Sequence, residues 1–146
     1  MPTKRTAINR PTGATEAPAY VKVAELNAFG FPPAKWRAAQ DQARELLIAK
    51  ARAKGFITYS DLAAQITAIE FAYDDERFFA LLGTLASEEE AAGRGLLSVL
   101  VIHKQGDQQP GKGFYRLAKY WGRRIPDPTQ FWVEEFKRVW AYWQKH

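Results

Sequence analysis

The stretch LLSVLVIHKQGDQQPGKGFYRLAKYWG, residues 96–122, decides how this chain is read. It opens on an apolar, β-rich run from Leu96 to His103, interrupted only by Ser98, which predicts a buried strand. Ten residues dense in Gly and Pro follow, residues 104–113. Phe114, Leu117, Ala118 and Trp121 then stand at i, i+3, i+4 and i+7, the spacing of a short helix stopped by Gly122. A return strand holding Phe114, Tyr115 and Arg116, as in a β-wing, is the other option, and both stay open at this point.

Upstream, the periodicity predicts a helix from about Pro33 to Lys54. Pro33 suits its first turn, and Trp36, Ala39, Ala43, Leu46, Leu47 and Ala51 share one face. Gly55 supplies the expected left-handed stop. Phe56 and Ile57 make a very short extended piece. Thr58 and Asp61 carry the capping signature of a second helix with Leu62, Ala63 and Ile66. A third helix follows Asp74-Asp75, whose carboxylates suit its positive end, and turns Phe78, Leu81, Leu82 and Leu85 inward before Gly93. Downstream, Asp127-Pro128 is an N-cap and first-turn pair for a last helix reaching about Lys145.

The expected fold class is therefore α+β: a mostly helical, winged-helix-like domain with a small sheet and an extra C-terminal aromatic helix. Residues 1–19, rich in Thr, Pro, Ala and Gly without periodic apolar positions, read as a flexible basic arm. Residues 20–146 read as the single domain.

With 146 residues and an apolar share of 47%, the chain is long enough to bury a core. It has no cysteine, which rules out disulfides, thiolate zinc ligands and a thiol nucleophile. No apolar run approaches the roughly 20 residues that span a bilayer, and the basic start lacks an apolar core, so no membrane partner and a cytoplasmic location are expected. The net charge of +5 is unevenly placed. Residues 74–95 hold six acidic and two basic residues, whereas residues 96–146 hold nine basic and four acidic ones. That pattern suits a polyanionic partner.

Two resemblances arise. The apolar Leu96–Ile102 segment, followed by Pro110-Gly111-x-Gly113-Phe114 and Leu117-Ala118, resembles a motif of uncharacterised bacterial proteins, which implies no activity. Thr58-Tyr59-Ser60-Asp61-Leu62-Ala63, with Val101-Ile102-His103-Lys104 later, is similar to the winged-helix domain of the alkylguanine-DNA alkyltransferases. That family has a Thr-Tyr-Gly-x-Leu-Ala helix entry and a Pro-Cys-His-Arg box. Ile102 stands here where the reactive cysteine would be, so the resemblance implies a shared fold without alkyl transfer.

Among chemical motifs, GDQQPGKG (Gly106 to Gly113) is close to the phosphate loop of nucleotide hydrolases. Gly113 replaces the Ser or Thr hydroxyl that would hold magnesium, and no second strand ending in Asp follows. Anion binding by Gly111, Lys112 and Gly113 without catalysis is the reading that survives beside a plain surface turn. His103 and His146 form no metal-ligand or catalytic set, and His103 reads as a strand-edge residue, so no catalytic residue, metal or cofactor is expected. Glu88-Glu89-Glu90 reads as a solvated helix end. In the last helix, Trp132, Phe136, Val139, Trp140 and Trp143 share a face. That face is either core or, through Trp132, Trp140 and Trp143, a homodimer or partner interface.

The expected function is non-enzymatic binding of DNA or RNA. Lys104, Lys112, Arg116, Lys119, Arg123 and Arg124 are the contacts, with Lys4, Arg5 and Arg10 of the arm in support. The third helix offers Arg77, Thr84 and Ser87 as exposed groups, but its acidic ends repel phosphate. The alternative is a protein-interaction or adaptor module without nucleic-acid contact.

Overall fold

A computed structural model describes residues 28–146 of the chain, so the expected arm lies outside the described residues. A short 3-10 turn, Ala28–Gly30, leads into helix α1, Pro33–Arg52. Proline at the first helical position gives up a backbone N–H that would have no helical partner there. Trp36, Ala39, Ala43, Leu47 and Ala51 are buried as the periodicity predicts, and Gln40 joins them.

The stop of α1 lies one residue from its expected place. Lys54, not Gly55, takes the left-handed conformation, at φ 53°. The N–H of Gly55 then closes the helix end on the carbonyl of Lys50 at 2.8 Å. Strand β1, Ile57–Thr58, runs straight into helix α2, Tyr59–Gln65. Thr58 Oγ1 caps α2 by accepting the Asp61 N–H at 3.1 Å. Helix α3, Glu76–Ala91, is capped by Asp75, which accepts the Arg77 N–H at 2.8 Å.

The long strand expected from Leu96 to His103 is mostly a different structure. Leu97–Leu100 forms a 3-10 turn, and strand β2 is only Val101–Ile102. It pairs in parallel with β1, Ile57 against Val101 and Thr58 against Ile102. The physical reason is the partner. A two-residue β1 can satisfy only a two-residue ladder, so the rest of the run finds other acceptors. The Val99 N–H turns back to Leu96 O at 2.9 Å, and the Leu96 N–H donates to the buried carboxylate of Glu135 at 2.8 Å.

Of the two options for residues 114–121, the helix is the one formed. Helix α4, Lys112–Tyr120, buries Phe114, Leu117 and Ala118. A β-wing made of Phe114, Tyr115 and Arg116 is therefore absent. Helix α5, Pro128–Lys145, follows, with Asp127 accepting the Gln130 N–H at 3.2 Å. The described part is mostly helical, with one small parallel sheet. None of its helices is long and apolar enough to cross a membrane.

Helix α3 is the centre of the domain. Phe78, Ala80, Leu81, Leu82, Leu85 and Ala86 are all buried. Its polar positions are also engaged. Thr84 accepts from Gln40 at 2.8 Å, and Ser87 accepts the Trp121 indole N–H at 3.0 Å. Of the three groups expected to be exposed, Thr84 and Ser87 thus face α1 and the end of α4, whereas Arg77 is exposed and pairs with Asp75 at 2.7 Å.

The acidic run at the end of α3 is not a solvated helix end. Glu89 is 1% exposed and lies between Arg44, at 3.2 Å, and Arg94, at 2.8 Å. Glu90 pairs with Arg123 at 3.1 Å, and Glu88 pairs with Arg44. Glu135 of α5, equally buried, joins the network through Arg123 and Arg138. Carboxylates buried this deeply persist only when charge and hydrogen bonds compensate their lost hydration. Here they tie α1, α3 and α5 together.

Candidate functional site

The residues expected to contact nucleic acid divide into two groups. Arg123 is committed to the core: its guanidinium binds Glu90 and Glu135 and lies 5.2 Å from the ring centroid of Phe131. Burial opposes its charge, but hydrogen bonds and the charges of Glu135 and Glu90 outweigh burial and hold its pKa above the ordinary value. It is an internal strut and not a surface contact.

Lys104, Lys112, Arg116, Lys119 and Arg124 are exposed. None of them has an acidic partner among the described residues. Lys112, Arg116 and Lys119 sit at i, i+4 and i+7 of α4, so one helix face carries all three. The opposite face holds Phe114, Leu117 and Ala118 in the core. Lys104 lies in the loop that enters α4, and Arg124 lies just after the helix.

The entry to α4 is built by Gly111, the residue before its first turn. Its backbone N–H donates to the Tyr59 phenol oxygen at 2.9 Å. A Cβ at this position would stand 3.2 Å from His103 Nε2 and 3.5 Å from Tyr59 Oη. Glycine is thus what lets the Pro-Gly-x-Gly-Phe loop pass beneath the Tyr59 and His103 rings, whose centroids are 5.1 Å apart. The parallel β1–β2 pairing brings these rings together, because Thr58 and Ile102 are register partners. Burial raises the Tyr59 pKa, against the weaker opposing effect of the Gly111 hydrogen bond. The Tyr115 phenol, which donates to Gln109 Oε1 at 2.9 Å, is pushed up to about 12 by burial and the nearby Asp107 charge.

Two cavities adjoin this loop. One, of about 400 Å³, lies between α3 and α4 and is walled by Phe79, Leu82, Gly83, Phe114 and Leu117. Tyr59, Ser98, His103 and Lys112 add polar groups to its lining. The other, of about 480 Å³, includes Tyr73, Lys104 and Gln105 and shares Tyr59 and His103 with the first. Neither is lined by an Asp or Glu. Among the described residues no three His, Asp or Glu side chains gather as metal ligands. The Tyr59–His103–Gly111 junction escaped the sequence reading, since its members lie far apart in the chain and only the strand pairing joins them.

The tryptophans of α5 are turned onto the domain. Trp132 donates to Val99 O and Trp140 donates to Gly55 O, each at 3.3 Å. Phe56 packs against Trp132, Phe136 and Trp140, with centroids 4.9–5.7 Å apart. Trp143 lies under Arg52, 5.6 Å from the guanidinium carbon to its ring centroid. Of the two readings of this face, core packing is what these contacts describe. No protein-family model, curated protein or solved structure matches the chain.

Proposed function

We propose that this protein binds nucleic acid through the phosphate backbone, with α4 as its contact element on a winged-helix-like frame. The observation that carries this is the face formed by Lys112, Arg116 and Lys119, exposed and without acidic partners among the described residues. Lys112 to Lys119 spans about 10 Å of helix rise. That matches the axial rise of roughly three phosphates along one DNA strand. Lys104 and Arg124 extend the cationic surface at either end, and Lys4, Arg5 and Arg10 add charge from the N-terminal segment. The frame is winged-helix-like in its helix order, with α4 where a wing would stand. Contacts of this kind position a protein on the backbone without reading bases, so binding is expected to be sequence-independent.

The test is a gel-shift titration on duplex and single-stranded DNA at two salt concentrations. Each phosphate contact on duplex DNA contributes a slope of about −0.9 in log K against log salt. Replacing Lys112, Arg116 and Lys119 together with Ala should flatten the slope by about 2–3 units. The conservative Arg123→Lys variant should leave the slope alone, because that side chain faces the glutamates. No binding at low salt, or a slope that ignores the triple variant, would transfer the cationic face to an acidic protein partner.

A further inference from the structure

We propose that the cavity between α3 and α4 is a binding site for a small amphipathic carboxylate, an apolar body ending in one anionic group. This goes beyond nucleic-acid binding and shares only Lys112 with that surface. At about 400 Å³ the cavity falls within the roughly 300–1,000 Å³ range of small-molecule sites. Its walls, Phe79, Leu82 and Gly83 of α3 with Phe114 and Leu117 of α4, are apolar. An apolar body that enters loses its water-exposed surface against them. Gly83 lies within the buried stripe of α3, where glycine weakens a helix by about 1 kcal/mol relative to alanine.

The polar groups lining the same cavity are donors with no acceptor assigned. Ser98 is 7% exposed, and its hydroxyl makes no hydrogen bond among the described residues. The one side-chain polar atom that is both sealed and unpartnered among the described residues is Trp143 Nε1. The Ser98 hydroxyl is therefore not sealed, and Ser98 lines the cavity. Tyr59 uses its oxygen to accept the Gly111 N–H, and its own O–H has no acceptor among the described residues. Burial keeps this phenol neutral and able to donate. Lys112, exposed at the rim, supplies a positive charge at the start of α4. Two neutral hydroxyl donors and a lysine beside an apolar wall suit a carboxylate on an apolar body. They suit neither a cation nor a wholly apolar guest.

The test is isothermal titration of the full chain with decanoate below its micellar concentration, with decanol and acetate alongside. Decanoate should bind saturably, while decanol and acetate each bind at least about tenfold more weakly, since a charged hydrogen bond is worth a tenfold change or more. Ser98→Ala and Lys112→Ala should each weaken decanoate by about tenfold and leave decanol unchanged. Amide chemical shifts of Ser98, Gly111 and Gly113 should move with the same saturation curve. Absence of saturable decanoate binding, equal binding of decanol, or indifference to both substitutions would overturn the proposal. The Arg116→Ala/Lys119→Ala variant separates the two readings: it should flatten the nucleic-acid salt slope by about 2 units and keep decanoate.

Discussion

Lys54 shows how a single residue departs from local rules at a measurable cost. It is exposed and left-handed, a conformation that costs an L-residue with a Cβ roughly 1–2 kcal/mol, whereas glycine adopts it freely. Lys54→Gly should therefore stabilise the protein by about 1 kcal/mol, read as a higher midpoint in urea unfolding. Gly55→Ala should be close to neutral, because its Cβ would meet Lys50 O only at an ordinary 3.8 Å and its φ is not positive. Glu135 is the opposite case, a buried residue with several dependants. It accepts the Leu96 N–H and holds Arg123 and Arg138. Glu135→Ala would strand a part-buried guanidinium and a buried backbone donor, and should cost about 3–5 kcal/mol. Thermal and urea denaturation would check this, and a loss under 1 kcal/mol would show that the network is not structural.

At the scale of elements, α4 and α5 carry opposite assignments. Helix α5 belongs to the core, since Trp140 lies in the cluster with Phe56 and Phe136 and donates to Gly55 O. Trp140→Ala should destabilise by about 3 kcal/mol, near the lower end for aromatic truncations because the ring is only partly buried. If the variant unfolds at the wild-type midpoint, the helix is an appendage. Helix α4 buries one face and leaves the other to solvent, so its cations can change without disturbing the fold. That division makes the salt-slope experiment interpretable. Helix α3, enclosed on nearly every side, has no comparable free face.

Over the whole molecule, the charges sort by depth. Glu88, Glu89, Glu90 and Glu135 are held by arginines, so the acidic run at the end of α3 is neutralised between elements. Around α4, Lys104, Lys112, Arg116, Lys119 and Arg124 remain exposed and without an acidic partner among the described residues. The loop Gly106 to Gly113 follows a strand and opens a helix, as a phosphate loop does, but no hydroxyl stands at Gly113 to hold magnesium. Phosphate release from ATP or GTP should therefore show no dependence on Lys112. A difference between wild type and Lys112→Ala in that assay would reopen nucleotide chemistry.

The sequence by itself determined α1, α2, α3 and α5 and where they start, because those signals are local, while α4 stayed open beside a wing strand. Thr58, Asp75 and Asp127 each accept a backbone N–H two or three residues on, Pro33 has no N–H to satisfy, and apolar spacing marks which face turns inward. Tertiary structure alone decided what happened from Leu96 to Ile102, where β-propensity favoured a strand but a two-residue β1 offered too little edge to pair with. It also decided which charges meet. Glu88–Glu90 look solvated in a linear reading, and only the packing of α1 and α5 against α3 places arginines beside them. The cavity at Ser98 and Tyr59 was equally illegible, since residues 39 positions apart in the chain share it through the β1–β2 pairing. Capping and periodicity are near-neighbour effects, whereas partner availability and desolvation depend on what the rest of the chain brings alongside.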